Sequence, residues 1–521
     1  MCYPIDNQPK QKLSYPPVLG QLRLDGSNTI RCRYNTYCSC IQEVSTTKEN
    51  ISESPEEFDK ARTKSRSAKC TSQNIEPCYA KNKVEPNITV SKTEAACTLD
   101  ETRAQSSDTL WFLCRSGVLR HTAQVVPPWA GWVSLTETSK NSSVQQSAID
   151  YMAPVFAPVT ENATVQHILK LSQQASWEVH QQYTAVTFDL AFANKAYSLV
   201  WQSPEEFSDV FVRMGSFHLT CAFMGALGKK IRCSGLEEVL IESGICASGS
   251  IEQVLTGKHY NRPLCVHKVV YEALERILLQ VYESLHGCLF DEQGVTTLHH
   301  LVKNPWKDNL LACLASESCK RSLDRYDEFK ETVRQGALGK TAQFWLSYME
   351  KRATKENCLT LHLASLQRMC SLFFGFDHPN YARYSAFYLL NMLNLEKTHP
   401  GAEDLLKNNG FSVNRSDVPS SRNAVDITIE QTINRHAKSH SRIVGSSWDH
   451  SAYYRWCYTR HARASYLQAT KEIANIDTLE STSHKEVRSS QILKSEQDTC
   501  CVMEAINNFI NPFTIEDKES T

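Results

Sequence analysis

Two short runs of β-branched and aromatic residues, Tyr183–Phe188 and Val210–Met214, each stop abruptly and give way to helix-like periodicity. The first run ends on Asp189, the second on Gly215-Ser216-Phe217-His218. This pattern predicts two neighbouring strands of one sheet, joined directly or through a crossover helix over Ala191–Trp201. From about residue 217 to 410, apolar positions recur at three- and four-residue spacing, so this stretch reads as almost wholly helical. Leu264–Leu285 holds that spacing throughout, as a helix buried along a broad face does. Residues 163–180, 342–376 and 381–395 follow the same rule, and Thr499–Phe513 predicts a short amphipathic helix near the end. No repeat of fixed period is present.

The pattern fails over residues 1–105, which are rich in Ser, Thr, Lys, Glu, Asn and Pro. Such a stretch buries too little apolar surface to offset its ordering entropy and is expected to be largely disordered. The remainder divides into the start of an α/β core (106–218), a helical insertion (219–420), C-terminal core helices (421–475) and a tail (476–521). A chain of 521 residues allows two to four domains. Its 41% hydrophobic and 22% charged content is that of a soluble globular protein. A net charge of -1 removes any global attraction to nucleic acid, so DNA binding would need a local basic patch. No apolar run reaches membrane-span length and the start lacks a signal-type apolar region, so an intracellular location, nucleus or cytoplasm, is expected. The 20 cysteines are scattered over a long chain, which argues for a reducing compartment rather than a disulfide framework.

Three acids lie where chemistry is commonly placed. Asp189 ends a strand, Asp377 ends the apolar run of FFGFDHPNYARY, and Glu430 lies on the helical string DITIEQTINRHAKSH. Brought together, Asp189, Asp377 and Glu430 would supply catalytic carboxylates that hold two Mg²⁺ ions for phosphodiester chemistry. Each also has a plainer reading: Asp189 as a helix N-cap, Asp377 as a turn residue before Pro379, Glu430 as part of a solvated face with Arg435 and Lys438. The stretch Trp448–Tyr466 interleaves Arg455, Trp456, Arg460 and Arg463 with tyrosines, a mixture suited to phosphate contact and base stacking. The same aromatics would equally fill the core side of an amphipathic helix. Cys32, Cys38 and Cys40 look like a fragment of a cysteine-rich DNA-binding motif, but lack the paired spacing of a zinc site.

The strings VTFDLAFANKAY, DVFVRMGSFHLTCAFMGALGKK, CASGSIEQVLTGKHYNRPLCVHK, FDHPNYARY and IEQTINRHAKS, in this order, resemble a large family of uncharacterised invertebrate and fish proteins derived from transposable elements. The resemblance covers about residues 110–515. It implies an RNase H-like, DDE-type transposase core with a long helical insertion, and a Mg²⁺-dependent DNA strand-transferase or nuclease ancestry. In that fold the second acid ends the fourth strand, here Val210–Met214, yet this chain has Gly215, Ser216 and His218 there and no carboxylate. Asp209 lies at the wrong end of the strand. These departures favour a degenerate site and a protein reduced to binding nucleic acid. The alternative is a non-enzymatic helical scaffold for protein partners.

Overall fold

The computed structural model describes residues 23–24, 28–35, 39–45, 98–116, 125–137, 147–152, 161–258, 260–333, 341–414, 421–431 and 484–509, with a few single positions between them. The described chain is predominantly helical around one mixed sheet and a second, two-stranded one. Strands β1 (Arg23–Leu24), β2 (Asn28–Asn35) and β3 (Ser39–Ser45) form an antiparallel run. Strand β4 (Ala148–Tyr151) joins β2 in parallel. Strands β5 (Thr184–Phe188) and β6 (Val210–Met214) complete the path β1-β2-β3-β5-β6, with β3 antiparallel to β5 and β5 parallel to β6.

Within the stretch whose composition pointed to disorder, residues 23–45 therefore contribute three strands. Pairing against β5 supplies backbone hydrogen bonds that composition alone cannot reveal. Cys32 and Cys40 lie on β2 and β3, whereas Cys38 falls outside the described residues.

The expected neighbouring of the two strands holds, with register from Thr184↔Val210 to Phe188↔Met214. Every residue of both strands is buried, as parallel strands covered on both faces must be. Among the helices, α1 spans Thr98–Arg115, α2 Trp129–Thr136, α3 Asn162–Glu178, and α4, the crossover, Leu190–Gln202. Helix α5 (Ser216–Ile231) leaves the end of β6, and α6 (Asn261–His286) runs through the helical body. They are followed by α7 (Thr341–Glu356), α8 (Leu359–Gly375), α9 (Pro379–Leu393), the short α10 (Val425–Ile429) and α11 (Ser489–Phe509). The last begins at Ser489 rather than at the expected Thr499. Its polar first half is held by charge: Glu496 pairs with Arg276 (2.6 Å) and Arg115 (3.3 Å), which share Glu272 at 2.5 and 2.7 Å. Burial would raise Glu272, but the two guanidiniums outweigh it and hold its carboxyl below the usual range.

Among the described residues, no helix is long and apolar enough to cross a membrane.

Candidate functional site at the carboxyl ends of the parallel strands

Strands β5 and β6 end side by side, with Gly215 N–H donating to Phe188 O at 2.9 Å. Each strand passes directly into a helix, so the amino ends of α4 and α5 point to one place. Helix amino ends expose N–H donors and carry partial positive charge, and each here meets a carboxylate. Asp189 is the N-cap of α4, its Oδ1 accepting from Phe192 N at 3.1 Å. Its plainer reading is thus realised, and the cap sits in the site.

Helix α5 has no cap of its own, because residue 215 is glycine. Its donors are met from 208 residues away in sequence by Asp426 on α10. Asp426 Oδ1 accepts from Phe217 N at 3.2 Å, and Oδ2 accepts from His218 N at 3.0 Å and lies 2.9 Å from His218 Nδ1. The Asp426 side chain is fully buried, while His218 keeps a quarter of its side chain exposed. The carboxylate missing from the end of β6 in the sequence is therefore delivered by another segment.

Glycine is required for that docking. A Cβ on residue 215 would lie 2.1 Å from Asp426 Oδ2 and 2.5 Å from its Cγ. Gly215→Ala is expected to cost about 1–3 kcal/mol as an overpacking change. It should also move the His218 imidazole resonances, as followed by thermal melting and NMR. Wild-type stability with unchanged resonances would show that Asp426 does not sit against Gly215.

Four ionisable groups meet at this point. Burial alone would push the His218 imidazole down, but the hydrogen bond and charge of Asp426 oppose it. The charges of Asp189 and Glu430 add to Asp426, and the net result is a raised pKa. Cys221, one turn along α5, is pushed up to about 12, first by burial and then by Asp426 and Glu430. It remains a thiol, not a nucleophile. Tyr381 is raised too, by burial and then by Asp189, Cys221 and Asp426. Phe217 lies edge-on to both His218 (4.9 Å) and Tyr260 (5.0 Å) and closes one side.

Of the three expected acids, Asp189 and Glu430 act on His218 through their charge, whereas Asp377 lies at an exposed turn. Asp377 has φ 55°, its side chain is 91% exposed, and it pairs with Lys229 at 3.6 Å. Lys229 is three turns along α5 from His218, about 16 Å at the helical rise. The turn before Pro379, a left-handed backbone position at the surface, is what this Asp serves. Asp426 was the acid that sequence reasoning passed over, although it lies four residues before Glu430 and therefore on the same helical face. Arg455, Trp456, Arg460 and Arg463 lie outside the described residues.

Magnesium needs oxygen atoms open to it. Both Asp426 oxygens already accept from nitrogen donors of α5, and Oδ2 lies against the His218 ring nitrogen as well. Among the described residues no three His, Cys, Asp or Glu side chains are placed to hold a metal ion. Asp426 is thus engaged by the amino end of α5 and by His218.

No curated protein and no solved structure matches the chain. The model of a family described as a domain of unknown function (DUF8702) matches residues 128–519, which takes in β5, β6, His218, Asp426 and the tail helix, and the protein belongs to that family.

Proposed function

We propose that this protein binds nucleic acid on an RNase H-like core inherited from a Mg²⁺-dependent DNA strand-transferase, and that it no longer cuts the strand. The mixed sheet supports the core: an antiparallel hairpin lies beside a parallel β-helix-β pair with acids gathered at the strand ends. The His218–Asp426 pair carries the loss of cleavage. In two-metal phosphodiester chemistry, carboxylates face two cations about 4 Å apart that activate the attacking oxygen and stabilise the leaving one. Here Asp426 faces one imidazole and two backbone N–H groups instead. An acid committed to a helix end and an imidazole is held as a structural partner rather than as a ligand for a cation and its attacking water.

The test uses the full chain with a labelled DNA duplex and with a nicked or pre-cleaved one, in Mg²⁺ and in Mn²⁺. The expected result is salt-sensitive binding in a gel-shift assay, with no cleavage or end-joining in either metal. Metal-dependent nicking that disappears in Asp189→Ala would overturn the loss of chemistry. Absence of any DNA binding would overturn the nucleic-acid reading and favour the helical scaffold.

A further inference from the structure

We propose that Cys313 and Cys319 are a modification site, a dithiol that hydrogen peroxide oxidises to a disulfide within the chain. Such a site would stand whether or not the protein binds nucleic acid. The two sulfurs lie 3.6 Å apart, and both side chains are buried. Cys313 belongs to the helix Lys307–Ala315 and Cys319 to the helix Glu317–Thr332, with Ser316 alone between them, and the two helices touch. A disulfide holds its sulfurs about 2 Å apart, so the pair has roughly 1.5 Å to close. A buried cysteine that only fills space needs no sulfur partner, and these two meet sulfur to sulfur.

The two thiols are not equivalent. Cys319 is the third residue of its helix, where backbone N–H groups have no intrahelical partner and the helix field favours an anion. The hydrogen bond with Cys313 and then the Ser316 hydroxyl favour its thiolate, against burial and the charge of Asp291, and its pKa is lowered. Cys313, the donor of that bond, is pushed up and stays a thiol. The pair thus has an attacking sulfur and a resolving one. The helix Lys307–Ala315 buries only Leu310 and Cys313, so it is the weakly held side of the pair and the side that opens to let an oxidant in.

The chemistry balances with one peroxide. The Cys319 thiolate attacks a peroxide oxygen, so an S–O bond forms and the O–O bond breaks. The departing hydroxide takes up the proton that the thiol had released and becomes water. The Cys313 sulfur then attacks the sulfur of this sulfenic acid. The S–S bond forms, the S–O bond breaks, and the Cys313 proton leaves with hydroxide as a second water. Two electrons pass from the two sulfurs to the peroxide. A dithiol reductant reverses the bond by thiol–disulfide exchange, so in a reducing compartment it is transient. While it lasts, it ties the weakly held helix to its neighbour. Cys114 of α1 lies near enough for charge to act between it and the pair, which makes it a rival partner for either sulfur.

The experiment treats the reduced full chain with hydrogen peroxide, blocks the remaining thiols with iodoacetamide and maps the peptides without a reductant. Lys307 and Lys320 flank the pair, so trypsin leaves both cysteines in one peptide, Asp308–Lys320. That peptide should become lighter than its reduced form by two hydrogen atoms, carry no alkyl label and regain both thiols in dithiothreitol. Cutting it after Glu317 should leave two fragments still joined. The pair should convert at a peroxide dose roughly tenfold below the dose that oxidises the exposed Cys288. Cys313→Ser should lose the bond and leave Cys319 as a sulfenic acid that dimedone captures, whereas Cys319→Ser should leave Cys313 an ordinary thiol. An Asp308–Lys320 peptide that stays fully alkylated while Cys288 oxidises overturns the site, whether or not either variant folds. A bond to Cys114 overturns the pairing. A bond that forms only after unfolding in urea overturns its origin in the fold.

Discussion

Asp108→Ala is expected to lower the stability of the fold by about 3–5 kcal/mol, the cost of stranding a buried charge. Asp108 is fully buried on α1 and serves three partners. It accepts from Trp129 Nε1 of α2 and Trp345 Nε1 of α7, both at 2.7 Å, and pairs with the Arg352 guanidinium. Arg352 is only 2% exposed, and alanine would leave it Glu356 at 3.0 Å and the Trp129 ring, with two indole N–H groups unsatisfied. Domains are stable by only about 5–15 kcal/mol, so a large share of the total would be lost. Asp108→Asn keeps the shape and one acceptor but not the charge, and should fall between. The check is the urea midpoint of the three proteins at constant slope. An Asp108→Ala midpoint within error of wild type would mean that α1, α2 and α7 are not joined through this carboxylate.

The second large effect lies in the candidate site. Asp426→Ala removes the partner of the His218 imidazole and of two amino-terminal donors of α5, and should cost about 2–4 kcal/mol. It also carries a pH signature. The folded pKa of His218 is raised above the ordinary imidazole value of 6.5. The proton is therefore held more tightly by the native state than by the unfolded one. The pair's contribution is complete below pH 6.5 and is lost as pH rises through the raised folded value.

Histidines shifted the other way, such as His267, which burial lowers to about 4, contribute stability above pH 6.5 that is lost on acidification. The whole-protein curve mixes both signs, so the difference between wild type and Asp426→Ala isolates the pair. That difference should shrink as pH rises from 6 to 9, read from urea midpoints, with the His218 titration followed by NMR. A difference that grows with pH would mean that His218 is bound as the neutral ring.

Local signals in the chain were sufficient for the elements that local physics decides. The buried strands β5 and β6 were legible because continuous apolar β-formers bounded by Asp189 and Gly215 leave few alternatives. The helical body was legible from its period, and Asp189 from its place between strand and helix, where a cap and a strand-end acid are the same residue.

Long-range pairing was not legible. Strands β1–β3 lie in a polar stretch whose composition says disorder, and only pairing to β4 and β5, far along the chain, gives them a sheet to join. Asp377 was singled out from the sequence and Asp426 was not, although each is an acid beside a helix. The tertiary structure put one at an exposed turn and the other against Gly215, because only a glycine leaves space for a carboxylate on the amino end of α5. Sequence by itself determined the buried strands β5 and β6 and the helical body, since those depend on neighbours within a few residues, but not β1–β3, which depend on distant partners. Which acids surround His218 was decided by α10 folding back onto α5, because charge acts through space and the partners lie 208 residues apart.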